Sequence, residues 1–202
     1  NMIAIVDYGM GNLGSVMKAF QFTGKKAEIT RSAKKIEKAK AVVFPGVGAL
    51  AQAMQNLKKY GLIDPLIDSV KSGKPFLGIC LGMQLLFTYS EEGGRHKGLG
   101  IFKGRVAKFK DTAGKIPHMG WNSVKMKKNI PILKGVPDES YFYFVHSYYP
   151  VPEDKSIIAG STYYGGGFAS VVAKGNIFAT QFHPEKSHTC GLRIIRNFGD
   201  LA

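Results

Sequence analysis

Pro75-Phe76-Leu77-Gly78-Ile79-Cys80-Leu81-Gly82-Met83-Gln84 decides how the rest of the chain is read. An apolar run of strand character enters Gly-x-Cys-x-Gly and leaves into a second apolar run, Leu81 to Tyr89, that predicts a helix. Strand, sharp turn and helix around one reactive residue form the context of a nucleophile elbow, here with cysteine in place of serine. Gly78 and Gly82 let such a turn close without Cβ clashes. The thiol then stands at a helix N-terminus, where partial positive charge favours a thiolate. The backbone N–H of Leu81 is expected to be free to bind an oxyanion. A free cysteine is usually a buried structural residue. The flanking glycines and the strand-to-helix switch favour the nucleophile reading for Cys80, whereas Cys190 has no such context and stays structural.

Working outward, the first half alternates short apolar runs with helical periodicity. Ile3–Val6, Ala27–Thr30, Ala41–Phe44 and Pro75–Ile79 predict strands, the apolar ones buried on both faces. Helices are predicted around Leu13 to Phe20, Ser32 to Lys40, Leu50 to Leu57 and Leu62 to Val70. This alternation argues for a doubly wound, mostly parallel sheet with helices on both faces, an α/β fold. The second half holds strand candidates at Val106–Lys110, Ser123–Met126, Tyr141–Val145, Ile157–Ser161, Ala169–Ala173 and Ile177–Gln181, which predict antiparallel additions to the sheet. A last helix is predicted near Gly191–Leu201. No repeat or linker divides the chain, so residues 1–202 read as a single domain.

Composition bounds the function. The chain has 202 residues, 45% hydrophobic and 21% charged, which is a globular composition. Its 28 basic and 14 acidic residues leave +14, which raises nucleic acid as a first suspect. The segments 25–40 and 103–128 are the most basic, yet neither carries a nucleic-acid-binding motif, so nucleic acid is not expected as a partner. No apolar run approaches the roughly 18 residues of a membrane span, and the N-terminal segment has no signal-peptide pattern. Asn1 before Met2 reads as a tag remnant. Two cysteines 110 positions apart give neither a disulfide framework nor metal-ligand spacing, and a reducing, cytoplasmic setting is expected.

A thiolate nucleophile needs a base and a group to orient that base. Gln181-Phe182-His183-Pro184-Glu185-Lys186 follows the apolar Ile177–Ala179 and supplies both. In an extended stretch residues two apart share a face, so Glu185 can reach the imidazole of His183. His96 and His188 sit in polar, loop-like sequence; His118 and His146 stay open. Pro45-Gly46-Val47-Gly48 ends another strand, and ligands of doubly wound sheets bind at the carboxyl ends of strands, so this turn is a candidate oxyanion donor beside Cys80. Gly9-x-Gly11-x-x-Gly14 matches the dinucleotide spacing, but the acid that should follow is misplaced, since Glu28 precedes the end of its strand.

These segments, in order along nearly the whole chain, resemble the class I glutamine amidotransferases. Asp7-Tyr8-Gly9-Met10-Gly11-Asn12-Leu13, Pro117-His118-Met119-Gly120-Trp121-Asn122 and His183-Pro184-Glu185-Lys186-Ser187 narrow the resemblance to the glutaminase subunits of imidazole glycerol phosphate synthases. The resemblance implies that Cys80, His183 and Glu185 hydrolyse glutamine to glutamate and ammonia. It implies oxyanion donors at Val47, Gly48 and Leu81, and substrate contacts from Gly48, Gln84, His146, Ser147 and Tyr148. It implies no metal and no organic cofactor. It further implies a cyclase partner with a (βα)₈ barrel in a one-to-one heterodimer, with Met10, Asn12, Trp121, Asn122 and Lys186 facing the barrel or the ammonia passage. The catalytic residues alone do not distinguish this from the same chemistry feeding another synthase, for example one amidinating a sugar.

Overall fold

The computed structural model describes residues 2–202; Asn1, read above as a tag remnant, lies outside them. β1 (Ile3–Val6) leads through α1 (Leu13–Phe22) to β2 (Ala27–Thr30), and α2 (Ala33–Lys38) leads to β3 (Ala41–Phe44). Two further helices, α3 (Leu50–Lys59) and α4 (Ile63–Lys71), precede β4 (Phe76–Ile79), which runs into α5 (Leu81–Gln84). The chain continues through β5 (Phe87–Ser90), β6 (His96–Lys97), β7 (Phe102–Lys108), β8 (His118–Met126) and β9 (Ser140–His146). Then come β10 (Tyr148–Pro152), β11 (Ile158–Tyr163), β12 (Gly167–Lys174), β13 (Ile177–Thr180) and finally α6 (His188–Gly199).

Nine strands form one sheet in the order β2-β1-β3-β4-β13-β12-β11-β8-β9. The pairs from β2 to β13 are parallel and those from β13 to β9 antiparallel. This is the mixed doubly wound arrangement that the sequence predicts. Alternate residues of β1 go to opposite faces: Ile3 and Ile5 join one apolar core, Ala4 and Val6 the other. Burial on both faces explains why these strands read as unbroken apolar runs rather than alternating ones.

Three expectations are corrected. The predicted helix Leu81–Tyr89 stops after one turn, at Gln84, and Phe87–Ser90 is a strand. Leu81 to Phe87 are all buried, so no amphipathic period distinguishes helix from strand there, and Phe87-Thr88-Tyr89 has the aromatic and β-branched character that favours a strand. β10, β7, β5 and β6 make a separate four-stranded sheet, which was not expected. The last helix begins at His188, earlier than its apolar pattern suggests.

Two features of this topology build the site. β13 lies directly between β4 and β12, so the segments after β4 and β13 leave the sheet side by side. The backbone N–H of Cys80 donates to the Thr180 carbonyl at 2.8 Å and ties the two ends together. The chain also turns very tightly after β4: a Cβ on Gly82 would overlap the Phe44 carbonyl of β3. Only glycine lets α5 pack this close to the neighbouring strand.

Candidate active site

Cys80 sits at the junction of β4 and α5 with φ 54° and ψ −109°. A positive φ is a strained conformation for a residue with a side chain, and such strain persists only where surrounding structure imposes it, often at functional sites. Here β4 is locked into the sheet on one side and Gly82 is pressed against Phe44 on the other. The buried thiol has two weak polar neighbours, the Gln181 amide nitrogen at 3.8 Å and the Val145 carbonyl at 4.0 Å. With α5 only four residues long, little helix dipole reaches the sulfur. The positive partner has to be a side chain.

That side chain is His183. Its Nδ1 lies 2.7 Å from Glu185 Oε1, and both side chains are only 3% exposed. The predicted reach of Glu185 back to His183 is therefore realised, across a short 3₁₀ turn at Pro184–Lys186 rather than a continuous extended strand. Burial alone would discharge the imidazole. Hydrogen bonding and negative charge from Cys80 and Glu185 outweigh it and push the His183 pKa up to about 10. Apart from the Cys80 thiol, Nε2 of His183 is buried without a hydrogen-bond partner among the described residues, and Oε2 of Glu185 has none. A buried, unpartnered ring nitrogen beside a thiol is poised to take and give a proton. Ser187 closes the His183–Ser187 segment quoted above, where it was given no role. Its Oγ donates to the His183 carbonyl at 2.6 Å and accepts the Tyr143 N–H at 3.0 Å. It fixes the backbone of His183 against β9.

The turn after β3 lies beside Cys80, as predicted, but one expectation fails. The Leu81 N–H is not free: it donates to the Gly46 carbonyl at 3.2 Å. The turn is held in this position from below, where buried Tyr8 donates its hydroxyl to the Pro45 carbonyl at 2.7 Å. A Cβ on Gly46 would overlap that hydroxyl, which explains the glycine. Gly48 has φ +106°, and Met10 Cε lies against it so closely that a Cβ there would sit 2.7 Å away.

Val47, Gly48, Cys80, Leu81, Gln84, His146, Ser147 and Tyr148, all predicted, line one cleft of about 400 Å³ together with Glu92. A larger cleft of about 550 Å³, between Met126 and Asp138, holds none of the reactive groups. Not every predicted contact offers a polar group to the cleft. Gln84 Nε2 is taken by the Tyr148 carbonyl at 2.9 Å and by Gln181 Oε1 at 3.2 Å. His146 uses both ring nitrogens inside the protein, so its ring serves as wall. Glu92 was missed because it stands in the polar run Ser90-Glu91-Glu92-Gly93, which reads as solvated loop. Burial pushes its carboxyl pKa up, against the Leu50 backbone N–H and His96, which pull it down.

Behind the cleft, His118 and His146 face each other across the β8–β9 pair, His118 Nδ1 to His146 Nε2 at 2.9 Å. Both are buried, and burial lowers their pKa values to about 4 for His118 and about 3 for His146. An unfolded histidine protonates near pH 6.5. Acid in the window below 6.5 therefore charges the unfolded chain first. The contribution of these two residues to stability is complete above that pH and lost as pH falls towards 4. Chemical denaturation midpoints should drop steadily across this window, less so in a His118→Phe/His146→Phe double variant. Equal pH dependence in the two proteins would contradict the assignment.

The residues predicted to face a partner divide. Trp121 is 46% exposed and stacks on His188 at 4.9 Å, with Met119 at 61% and Tyr141 at 61% on the same side of the β8–β9 pair. Trp121 is thus an outward-facing aromatic and not core. Lys186 is exposed, Met10 half-buried, and Asn12 exposed while capping α1 through the Ser15 N–H. Asn122 departs from expectation. Its amide nitrogen lies 3.2 Å from His118 Nε2 and 2.9 Å from the Tyr163 carbonyl, and its oxygen accepts the Ser123 N–H at 2.8 Å. All its polar atoms are committed within the chain.

Residues 4–201 match the family described as glutamine amidotransferase class-I. An imidazole glycerol phosphate synthase subunit HisH from Desulfitobacterium hafniense is 52% identical over 198 residues, covering 98% of this chain and 93% of that protein. The HisH subunit from Syntrophotalea carbinolica is 49% identical over 206 residues, covering 99% and 100%. Among solved structures, PurLQS from Thermotoga maritima superposes with a TM-score of 0.76 at 16% identity, over 98% of this chain and 96% of that one. A glutamine amidotransferase from Thermotoga maritima gives 0.68 at 18% identity, over 91% and 76%. At these identities the solved structures speak to the fold.

Proposed function

The chain belongs to the class-I glutamine amidotransferases, and within them to the HisH subunits of imidazole glycerol phosphate synthase; from that premise we propose that Cys80, His183 and Glu185 hydrolyse glutamine and that the ammonia serves a cyclase partner in histidine biosynthesis. The observation that carries this reading is the alignment of a strained cysteine, a buried histidine and a buried carboxylate at the ends of adjacent parallel strands.

Cys80 Sγ attacks the side-chain carbonyl carbon of glutamine. His183 gives its proton from Nε2 to the leaving nitrogen, the C–N bond breaks, and ammonia departs from a γ-glutamyl thioester. Water then attacks the thioester while His183 takes its proton, and glutamate leaves with the thiolate restored. Glu185 holds the imidazolium in one orientation throughout. Glu92 gives the cleft a carboxylate for the α-ammonium of the substrate, and Ser147 and Tyr148 flank it.

Charge on the intermediate's oxygen needs donors, and the Leu81 N–H is engaged with Gly46. The turn at Pro45–Gly48 has to swing before Leu81 can serve. Met10 and Tyr8, which brace that turn, belong to the N-terminal loop assigned to the partner face. Docking of a (βα)₈ cyclase in a one-to-one pair, with Trp121 and its neighbours as anchor, is the event that releases the turn. A single domain and a cytoplasmic location complete the reading.

Loss of one oxyanion donor typically costs ~10²–10³ in rate. The lone chain should therefore hydrolyse glutamine about that much more slowly than the chain paired with its cyclase and the cyclase's nucleotide substrate. Steady-state glutaminase assays with and without the partner test this, and equal rates would overturn it.

A further inference from the structure

We propose that His118 and His146 are positioning residues for the glutamine cleft, forming with Asn122 a one-way chain of hydrogen bonds that fixes the wall opposite Cys80. The proposal rests on the reading of Cys80 as nucleophile and of the surrounding cleft as the glutamine site.

The direction of the chain follows from its chemistry. Asn122 is oriented by its neighbours, since its oxygen accepts from Ser123 and its nitrogen donates to the Tyr163 carbonyl. Its second amide hydrogen meets Nε2 of His118, which must be an acceptor. His118 then carries its hydrogen on Nδ1 and donates to His146 Nε2 at 2.9 Å. His146 in turn carries its hydrogen on Nδ1 and donates to the Tyr148 carbonyl at 2.8 Å. Every ring nitrogen is satisfied in this one pattern and in no other, because each ring has one donor and one acceptor to offer.

The surroundings enforce it. His118 is stacked between Phe144 at 4.8 Å and Tyr164 at 4.1 Å, with the edge of Phe109 against both histidines. The titratable groups that act on His146 are His118 and His183, and both oppose a further positive charge.

The chain ends on the cleft. The Tyr148 carbonyl also accepts Gln84 Nε2 at 2.9 Å, and Gln84 Nε2 lies 3.2 Å from Gln181 Oε1. The segment Val145 to Tyr148 thereby receives its position from β8 and β9 through the histidine pair, whereas Cys80 is set by β4, and His183 by β13 and by its own backbone bond to Tyr143, outside that pair. Reversing the histidine pair would move the Nδ1 hydrogen off His146 and leave the Tyr148 carbonyl held by Gln84 alone. The wall that meets the substrate would loosen while the reacting groups stayed in place. Disturbing the pair should accordingly weaken glutamine binding and spare the chemical step.

Two measurements test this. Nuclear magnetic resonance of isotope-labelled histidine in the whole chain at neutral pH should show two neutral rings with hydrogen on Nδ1, of which His118→Leu removes one and so assigns both. Hydrogen on Nε2, or a charged ring, at either position would overturn the proposal. In the complex with the cyclase, His118→Leu leaves His146 Nε2 buried without a donor, a penalty that should raise KM for glutamine about tenfold with kcat within about twofold. His118→Gln, which can accept from Asn122 and donate to His146, should recover most of that loss. An unchanged KM, a loss confined to kcat, or a Gln variant no better than Leu would overturn the proposal. Glutamine turnover retained in Cys80→Ala would instead sink the nucleophile assignment while leaving the ring hydrogens where they are.

Discussion

Cys80→Ala is expected to lower glutamine hydrolysis by about 10⁴-fold or more, the size of loss seen when a covalent nucleophile is removed from a triad. No neighbour can replace it, since the other cysteine, Cys190, belongs to α6. The same site makes a second, opposite demand. Cys80 occupies φ 54°, a conformation costing ~1–3 kcal/mol for a residue with a Cβ. Alanine keeps that cost and glycine removes it. After allowing about 0.4–1 kcal/mol for glycine's freer unfolded chain, Cys80→Gly should be more stable than Cys80→Ala by about 1 kcal/mol. Retained turnover in Cys80→Ala would refute the nucleophile. An alanine variant as stable as the glycine variant would refute the strain.

Gly82→Ala is the second large effect. The added methyl would overlap the Phe44 carbonyl, which is backbone of a central strand and has no flexible end to move aside. Overpacking of this kind costs about 3 kcal/mol, and relief would require α5 to lift away from β3. Gly167→Ala, where the Cβ meets nothing within 4 Å, should change stability by less than about 1 kcal/mol. Urea denaturation of the two variants makes the comparison. Similar midpoints would show that the elbow tolerates a side chain and that its tight closure is not what holds Cys80 in position.

The meeting of Cys80, His183 and Glu185 was legible because its signals are local. Gly78-Ile79-Cys80-Leu81-Gly82 declares a sharp turn within five residues, and His183-Pro184-Glu185 spaces base and orienting group within three. The parallel half of the sheet was legible for a similar reason, since strands buried on both faces leave continuous apolar runs. What escaped was set by distant partners. The Leu81 N–H is occupied by a carbonyl 35 positions away, which no reading of the elbow itself contains. His118 and His146 meet only because β8 and β9 pair in a register that places them opposite each other. Asn122 was expected beside Trp121 on the barrel or ammonia-passage side, but strand alternation turns the two side chains to opposite faces. The helix predicted past Gln84 failed because complete burial erases the periodicity that separates helix from strand.

The insertion of β13 between β4 and β12 has a consequence for synthesis. A ribosome extends the chain from its N-terminus, so β4 is finished long before the strand that must lie next to it. Until residues 177–180 emerge, the parallel and antiparallel halves of the large sheet have no shared strand, and β4 and β12 each present an unpaired edge. Pairings between segments so far apart in sequence form slowly. His183 arrives with that same late segment. A nascent or truncated chain therefore exposes two unpaired edges, and Cys80 and His183 come together only when the sheet closes.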